Sequence, residues 1–187
     1  AADPSPEVVE GRLDDVFAVL ADDRRVGPER HRTLEATIAW SHDLCSASER
    51  ALWARAGVFA GTFDLDAVDA VCTDDEVAPS TLLDGVSGLA AKSILIREEH
   101  AGQVRFRMLE TVREYGQGRL PARLRRPLRE RHRDWVTGLT EDLTRDWFGP
   151  GQAGWAARMT AERANLRAAL DFSLRDGGDG AGTAALR

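Results

Sequence analysis

Apolar and charged side chains follow two different periods within residues 103–120, QVRFRMLETVREYGQGRL. In the first six positions polar and apolar residues alternate, which is the pattern of a strand with one buried face. From residue 109 onward the apolar residues recur three or four positions apart, as on an amphipathic helix. The stretch therefore predicts a strand that runs directly into a helix. The predicted inward positions are Val104, Phe106, Met108, Leu109, Val112 and Tyr115 or Gly116, and the predicted outward positions are Arg105, Arg107, Glu110, Arg113 and Glu114.

Five segments before this stretch also carry apolar residues at helical spacing. The predicted helices cover residues 6–21, about 33–45, 46–58, 64–72 and 79–90. Ser46 and Glu49 have the spacing of a capping box, in which each satisfies a free backbone N–H group of the helix start. Asp64 is expected to cap the fourth helix. Residues 94–96 and 103–108 are predicted strands, with residues 98–102 as the turn between them.

Helix, turn, helix, a two-stranded wing and a closing helix together describe a winged helix. Each of these elements has an apolar face that it cannot bury alone, so the elements must pack on one another. The residues expected to form this core are Leu34, Ile38, Trp40, Leu44, Leu52, Trp53, Phe59, Leu83, Leu89, Phe106, Leu109 and Val112.

Prolines at positions 121 and 127 interrupt the pattern after the closing helix. A new helix is predicted over about 128–147, followed by a tight turn at residues 149–151. The last helix carries Trp155, Met159, Glu162, Leu166 and Ala169 or Leu170 on one side. Two antiparallel helices joined by a short turn form one unit of a helical-hairpin array. The predicted fold is therefore mainly α, a winged helix followed by an α-helical hairpin.

The composition is that of an ordinary globular protein, with 43% apolar and 30% charged residues. No apolar run is long enough to span a bilayer, and nothing at the N-terminus has the features of an export signal. We read the two cysteines, Cys45 and Cys72, as buried thiols in a reducing cytoplasm. The sequence starts without methionine and stops where a new helix would begin. We therefore expect a piece of a longer cytoplasmic protein that has no membrane partner.

The charge distribution argues against DNA as the partner of this winged helix. The net charge is −6. The helix-turn-helix, residues 61–92, contains seven acidic residues and a single cation, Lys92. A recognition helix has to approach phosphates, which an acidic surface repels. We therefore predict a module that packs against protein.

The one basic stretch of the sequence is residues 119–133, which hold seven arginines and one glutamate. We expect a solvated linker and helix start there, although the stretch could also bind the acidic surfaces of the preceding domains. The candidate basic interaction surface consists of Arg123, Arg125, Arg126 and Arg129.

No arrangement of residues predicts catalysis or metal binding. The segment nearest to a phosphate-binding loop is residues 87–93, but Ala91 stands where glycine is required and the segment lies within a predicted helix. The four histidines are scattered, and the pair His42 and Cys45 has no second ligand pair at a recognisable spacing. We predict a protein that is not an enzyme and has no catalytic residue, metal or cofactor of its own.

Four ordered blocks of the sequence resemble one family. They are RHRTLEATIAWSHDLCSASERALWARAGVFAGTFDLDAVDAVC, LLDGVSGLAAKSIL, FRMLETVREYGQGRL and AERANLRAAL. The blocks are similar to the large actinobacterial transcriptional regulators built on a STAND (NB-ARC type) ATPase, of the LuxR-like or activator type. The resemblance implies that residues 1–32 are the end of the helical lid of the ATPase, residues 33–120 its winged helix, and residues 121–187 the start of a tetratricopeptide-like region.

The family implies ATP or ADP for the full-length protein, bound by a nucleotide domain outside this chain. Related ATPases often end the wing with Met-His-Asp, whose histidine reaches the ADP phosphate. Met108-Leu109-Glu110 stands at that place, and leucine cannot donate a hydrogen bond to phosphate. The nucleotide-proximal candidates are therefore Arg107, Glu110 and Arg113, with a solvated face of local ion pairs as the alternative.

The resemblance implies a non-catalytic regulatory fragment of a STAND-type transcriptional regulator. Its winged helix would pack as a conformational latch against the nucleotide-binding domain of the same or a related chain. One alternative is a stand-alone winged helix that binds DNA and regulates transcription. Another is a helical scaffold that binds other proteins through its C-terminal helices, around Trp155 and Leu166.

Overall fold

A computed structural model describes residues 28–100, 102–146 and 152–176 of the 187-residue chain. The described residues form seven helices and one two-stranded antiparallel sheet. In chain order the elements are α1 (Pro28–Asp43), α2 (Ala47–Ala56), α3 (Leu65–Cys72), α4 (Pro79–Ala91), β1 (Ile96–His100), β2 (Gln103–Arg107), α5 (Glu110–Arg119), α6 (Ala122–Asp146) and α7 (Gln152–Asp176). The predicted fold class, a mainly helical winged helix followed by a helical region, is confirmed.

The chain divides into two compact units, Ala1–Trp40 and Ser41–Arg187. In the second unit, α2 packs against α4 and α5, α3 packs against α6, and α6 packs against α7. The predicted helix over 6–21 and the predicted turn at 149–151 lie outside the described residues. None of the helices in the described ranges is long and apolar enough to cross a membrane.

Two of the predicted helix starts rest on local hydrogen bonds. At the start of α2 the backbone N–H of Glu49 donates to Ser46 Oγ at 3.2 Å, and the backbone N–H of Ser46 donates to Glu49 Oε2 at 2.7 Å. At the start of α3 the backbone N–H of Ala67 donates to Asp64 Oδ1 at 2.8 Å. The capping box and the aspartate cap are therefore confirmed.

The wing differs from its predicted bounds because residues 94 and 95 complete the end of α4. The backbone N–H groups of Ile94 and Leu95 both donate to the carbonyl of Leu89, at 3.0 and 3.2 Å. They are therefore not available for the sheet, and β1 begins at Ile96 and runs to His100, where the sequence predicted a turn. Gly102 supplies the positive φ of 77° that the short connection to β2 needs.

Phe63, just before α3, extends the wing on the other edge of β2. Its backbone exchanges two hydrogen bonds with Phe106, at 2.9 and 2.7 Å. The rings of Phe63 and Phe59 stack at 4.5 Å between centroids. The segment between α2 and α3 is thus attached to the strand that leads into α5.

Helix α6 begins six residues before its predicted start and contains Pro127 within its length. A proline inside a helix removes one backbone hydrogen bond, but it does not have to end the helix when tertiary packing supports both sides. Leu128, Val136 and Leu139 are buried along one face of α6. Helix α1 likewise begins earlier than predicted, at Pro28 rather than near Thr33.

The predicted core is correct in about half of its positions. Ile38, Leu52, Trp53, Phe59, Leu89 and Phe106 are buried, and Val112 is half-buried. The prediction is wrong for Leu34, Trp40, Leu44, Leu83 and Leu109, which are exposed.

Each wrong core assignment has a geometric reason. Leu44 follows the last residue of α1, and Leu109 is the extended N-cap of α5, so neither continues a helical face. On α4 the buried face carries Leu82, Val86 and Leu89, and Leu83 points away from it. For Leu34 and Trp40 on α1, periodicity shows which residues share a face but not how much of that face is covered.

Candidate functional site

The outer face of α4 is the surface that a winged helix would present to DNA. The buried residues Leu82, Val86 and Leu89 hold α4 against the domain. The face opposite to them exposes small, apolar and acidic side chains: Thr81, Leu83, Asp84, Ser87 and Ala91. Leu83 is 61% exposed. No arginine or lysine lies on this face of α4.

Lys92, the cation that follows α4, is paired within the domain. Its Nζ donates to Glu49 Oε1 at 2.6 Å. This hydrogen bond raises the pKa of Lys92. Burial opposes ionisation of Glu49, but the hydrogen bonds from Lys92 and Ser46 outweigh it and lower the pKa of the carboxyl. The only lysine of the sequence is therefore engaged by α2.

The wing adds little positive charge. Arg97 is exposed on β1 and is followed by Glu98 and Glu99. Arg107 on β2 pairs with Glu98 diagonally across the wing, and Glu99 is exposed. The wing therefore offers one uncompensated arginine to an approaching phosphate backbone.

The acidic loop between α3 and α4, residues 73–78, is partly neutralised by a buried arginine of α2. Arg55 of α2 is buried and donates to both carboxylate oxygens of Asp74, at 2.9 and 3.1 Å, and to Glu76 at 2.7 Å. Burial opposes ionisation of Asp74, but the hydrogen bonds of Arg55 outweigh it and lower the pKa of this carboxyl. The hydrogen bond from Arg55 likewise lowers the pKa of Glu76. The acidic groups of the helix-turn-helix that remain exposed are Asp66, Asp69, Asp75, Glu76 and Asp84.

The basic stretch contacts this acidic loop from α6. Arg123 donates to Glu76 at 3.0 Å, and Arg131 donates to the carbonyl of Thr73 at 2.6 Å. Arg126 pairs with Glu130 one turn further along α6. The predicted basic surface is therefore divided: Arg123 faces the acidic loop, whereas Arg125 and Arg129 line a groove on another side of α6.

The three nucleotide-proximal candidates are not brought together as one site. Arg107 lies on the wing with Glu98. Arg113 pairs with Glu110 within α5 and also donates to the carbonyl of Gly57 at 3.4 Å. The hydrogen bond from Arg113 lowers the pKa of Glu110.

A buried ion pair joins the wing to the last helix, and the sequence prediction for one of its members is wrong. Arg105 of β2, predicted to face solvent, is 2% exposed, whereas Val104, predicted to face inward, is exposed. Arg105 Nη2 donates to Glu162 Oε1 of α7 at 2.5 Å, and Glu162 is 0% exposed. Strand β2 is therefore buried on both faces at this point, with Phe106 on the predicted inward face and Arg105 on the other, where the carboxylate of Glu162 lies.

Asn165 and Thr62 complete this arrangement, which we call the buried junction (Thr62, Asp64, Arg105, Glu162 and Asn165). Arg105 donates to the hydroxyl and to the carbonyl of Thr62, both at 2.9 Å. Asn165 donates to Glu162 Oε2 at 2.7 Å and accepts from the backbone N–H of Ala60 at 2.9 Å. Asp64, the cap of α3, lies 3.5 Å from Arg105. The buried charges are thus paired and hydrogen-bonded, as burial requires.

One signal in the sequence indicated a member of the buried junction. Glu162 was predicted on the same side of its helix as Met159 and Leu166, and a carboxylate on an apolar face needs a buried partner. Nothing in the local pattern identified Arg105 as that partner, since an arginine alternating with apolar residues is ordinarily solvent-facing.

Two histidines lie inside the second unit. His132 of α6 is buried among Phe59 and Trp135, and burial lowers its pKa to about 4 against a smaller opposite effect of its hydrogen bond with Asn165. His42 is half-buried against Trp53 and Tyr115, whose rings come from other elements.

The cysteines are buried, as predicted. Burial raises the pKa of Cys72 to about 12 and also raises the pKa of Cys45. These thiols are therefore protonated at neutral pH, and a protonated thiol is a poor nucleophile. Among the described residues no group of three or more His, Cys, Asp or Glu side chains is placed to hold a metal ion.

Residues 45–121 of the chain match the winged helix-turn-helix domain family, in agreement with the helix-turn-helix and wing described above. This match covers the segment from just before α2 to just after α5. The segment is thus a winged helix-turn-helix domain in both sequence and structure.

Relatives extend the similarity beyond this domain. The chain is 37% identical over 173 residues to proteins named "Putative HTH-type transcriptional regulator" from Mycobacterium tuberculosis and Mycobacterium bovis. The alignment covers 92% of this chain and 20% of each relative, so the chain spans about a fifth of the length of these relatives. An uncharacterised protein of Mycobacterium tuberculosis is 37% identical over 112 residues, which cover 59% of this chain and 28% of that protein. No solved structure gives a significant match to the chain.

Proposed function

We propose that this chain is a non-catalytic regulatory part of a cytoplasmic transcriptional regulator, and that its winged helix binds protein rather than DNA. The observation that carries the proposal is the outer face of α4, which exposes Leu83 and Asp84 and has no basic residue. A DNA-reading helix needs long polar side chains for base edges and cations nearby for phosphates. An exposed leucine beside small residues instead suits contact with another protein surface.

The more specific proposal is that this face belongs to a latch on a nucleotide-binding domain of the STAND type. The support is the order and spacing of the four blocks of sequence, which resemble regulators of that kind. The 37%-identical relatives, of which the chain spans about a fifth, leave ample length for such a domain. ATP or ADP would be bound by that domain, and this chain would contribute no catalytic group.

Salt-dependent binding to duplex DNA tests the first part of the proposal. We expect the anisotropy of a labelled duplex to show no salt-sensitive binding when it is titrated with this chain. Binding whose affinity falls steeply as salt rises would contradict the proposal, because that dependence reports phosphate contacts. The quadruple variant Arg123, Arg125, Arg126 and Arg129→Ala would then show whether the basic stretch is responsible.

The residues encoded upstream of this chain in the same reading frame give the first test of the latch. An upstream strand followed by G-x-x-x-x-G-K-[ST] and a helix would supply the nucleotide-binding domain. That domain, produced separately, should bind this chain more tightly with ADP than with ATP, and Leu83→Glu should weaken binding. Equal affinity in both nucleotide states would contradict a latch while leaving a protein-binding winged helix possible.

A second candidate is DNA binding, favoured by the match of residues 45–121 to the winged helix-turn-helix family and by the names of the relatives. Two variants distinguish the candidate surfaces. Ser87→Glu would abolish DNA binding through α4, and Arg125→Ala with Arg129→Ala would abolish binding through α6. If neither variant changes an observed affinity for DNA, both surfaces are excluded.

A further inference from the structure

A groove of about 800 Å³ lies between α5, α6 and α7, away from the outer face of α4. Its floor is partly apolar, with the buried side chains of Leu120 and Leu128 and the half-buried side chains of Val58 and Phe172, and the polar side chains of Gln117 and His132 line it too. Small residues, Ala54, Ala60, Gly118 and Ala168, line it as well, so another backbone can approach closely. The groove is therefore shaped for an element with an apolar face.

The rim of this groove is basic. Arg113 comes from α5, Arg125 and Arg129 from α6, and Arg175 from α7, against the two carboxylates of Glu114 and Asp171. The chain as a whole carries a net charge of −6, so a basic groove runs against its overall charge. An occupant has to complement this local excess of positive charge.

Of the four arginines on the rim, Arg113 pairs with Glu110, and the other three have no ion pair with a described residue. Neither Arg129 nor Arg175 has an ion-pair partner among the described residues, and Arg125 makes one hydrogen bond, to the carbonyl of Leu120 at 3.3 Å. Within the described part of the chain, ion pairs are also absent at Arg50, Arg97, Arg119, Arg163 and Arg167. The rim is therefore distinguished by having three such guanidinium groups around one groove. Unpaired guanidinium groups around a partly apolar floor can bind carboxylates without first breaking an internal ion pair.

We propose that this groove binds an acidic amphipathic helix of a partner protein. Its apolar face would lie on Leu120, Leu128 and Phe172, and its carboxylates would reach Arg125, Arg129 and Arg175. The α7 residues on the groove, Ala168, Asp171, Phe172 and Arg175, recur at helical spacing over two turns, so the groove runs along a helix and suits another helix. This inference is independent of the proposed function, because it uses none of the residues of the α4 face.

The probe is a labelled helical peptide of roughly 18 residues with leucine along one face and glutamate elsewhere. We expect it to bind the 187-residue chain with saturable anisotropy. Arg125→Glu with Arg129→Glu should weaken this binding by about tenfold or more, because each reversal places like charges together. The matched control, Arg126→Glu with Arg145→Glu, makes the same charge change on α6 outside the groove and should alter the affinity by less than about twofold. All four positions are on the surface, and circular dichroism checks the fold of each variant.

Four results would overturn the inference. They are failure of the peptide to bind, equal weakening by the groove variant and its control, equal binding of a peptide with the same composition in scrambled order, and sedimentation showing that a second copy of the chain fills the groove. Phe172→Ala adds an independent check of the floor: it should weaken binding without changing the charge. A lack of salt-sensitive DNA binding leaves this inference unaffected, so the two proposals fail separately.

Discussion

Arg105 and Glu162 form a buried ion pair, with side chains that are 2% and 0% exposed. Their separation along the sequence is 57 residues, and the contact joins the wing to α7. A buried pair contributes little net stability compared with apolar residues, but removing one member leaves the other buried charge with less compensation. The pair therefore specifies how β2 and α7 meet.

Glu162→Leu should destabilise the protein by about 3 kcal/mol, because the buried guanidinium of Arg105 loses its nearest carboxylate and keeps only Asp64, at 3.5 Å. Arg105→Met combined with Glu162→Leu should recover most of this loss, since both charges are then gone. Denaturant unfolding followed by circular dichroism measures these changes. Arg145→Ala, which removes an exposed pair with Asp142, is the control and should cost under about 1 kcal/mol. A single-variant cost as small as that of the control would show that the pair is not buried.

His132 predicts a pH dependence of stability. Its ordinary pKa is 6.5 and burial lowers it to about 4, so between these values the unfolded chain binds the additional proton. The free energy of unfolding should therefore keep its full contribution from neutral His132 above pH 6.5. It should fall by up to about 3 kcal/mol as the pH drops to about 4. His132→Gln should remove most of this slope, whereas His42→Gln, at a half-buried site with a lowered pKa, should remove less. An unchanged slope in His132→Gln, from denaturant unfolding at a series of pH values, would contradict the account.

At the scale of elements, α5 depends on the absence of a side chain where it crosses α2. A Cβ at Gly116 would lie 2.6 Å from Trp53 Cδ1 and 2.7 Å from Trp53 Nε1. The same indole donates to the carbonyl of Val112 at 2.9 Å. The close approach of the two helices and this hydrogen bond therefore both require glycine at position 116.

Gly116→Ala should destabilise the domain by about 1–3 kcal/mol, because the methyl group forces Trp53 out of place. Gly118→Ala on the same helix is the matched control: nothing lies within 4 Å of its Cβ, and alanine favours the helix by up to about 1 kcal/mol. Thermal unfolding should therefore show a lower melting temperature for Gly116→Ala and a higher one for Gly118→Ala. Tryptophan fluorescence emission should change only in Gly116→Ala. If both variants stabilise the protein, the predicted contact with Trp53 is wrong.

The elements that the sequence predicted well are those whose signals are local. The Ser46 capping box, the Asp64 cap and Pro79 at the start of α4 each act within one turn, so a short segment contains the whole signal. The errors at Pro127 and at residues 94–95 have tertiary causes. Packing along α6 stabilises a helix across the proline. The carbonyl of Leu89 accepts hydrogen bonds from the backbone N–H groups of Ile94 and Leu95, which the pattern assigned to a strand.

For the whole molecule, the candidate surfaces were predicted in part. The acidic character of the helix-turn-helix follows from composition alone, but the exposed position of Leu83 and the pairing of Lys92 with Glu49 required the packing of α4. The basic stretch was identified from the sequence as one surface. The structure divides it because successive arginines of a helix point in different directions, so Arg123 meets the acidic loop and Arg129 reaches the groove.

The central claim is that the outer face of α4 does not read DNA. Hydrogen–deuterium exchange of the chain with and without duplex DNA at low salt tests it directly, because the exchange of the α4 amides reports whether that helix is contacted. We predict that the exchange of residues 83–91 is the same in both samples. Protection of these amides by DNA that disappears as salt is raised would contradict the account.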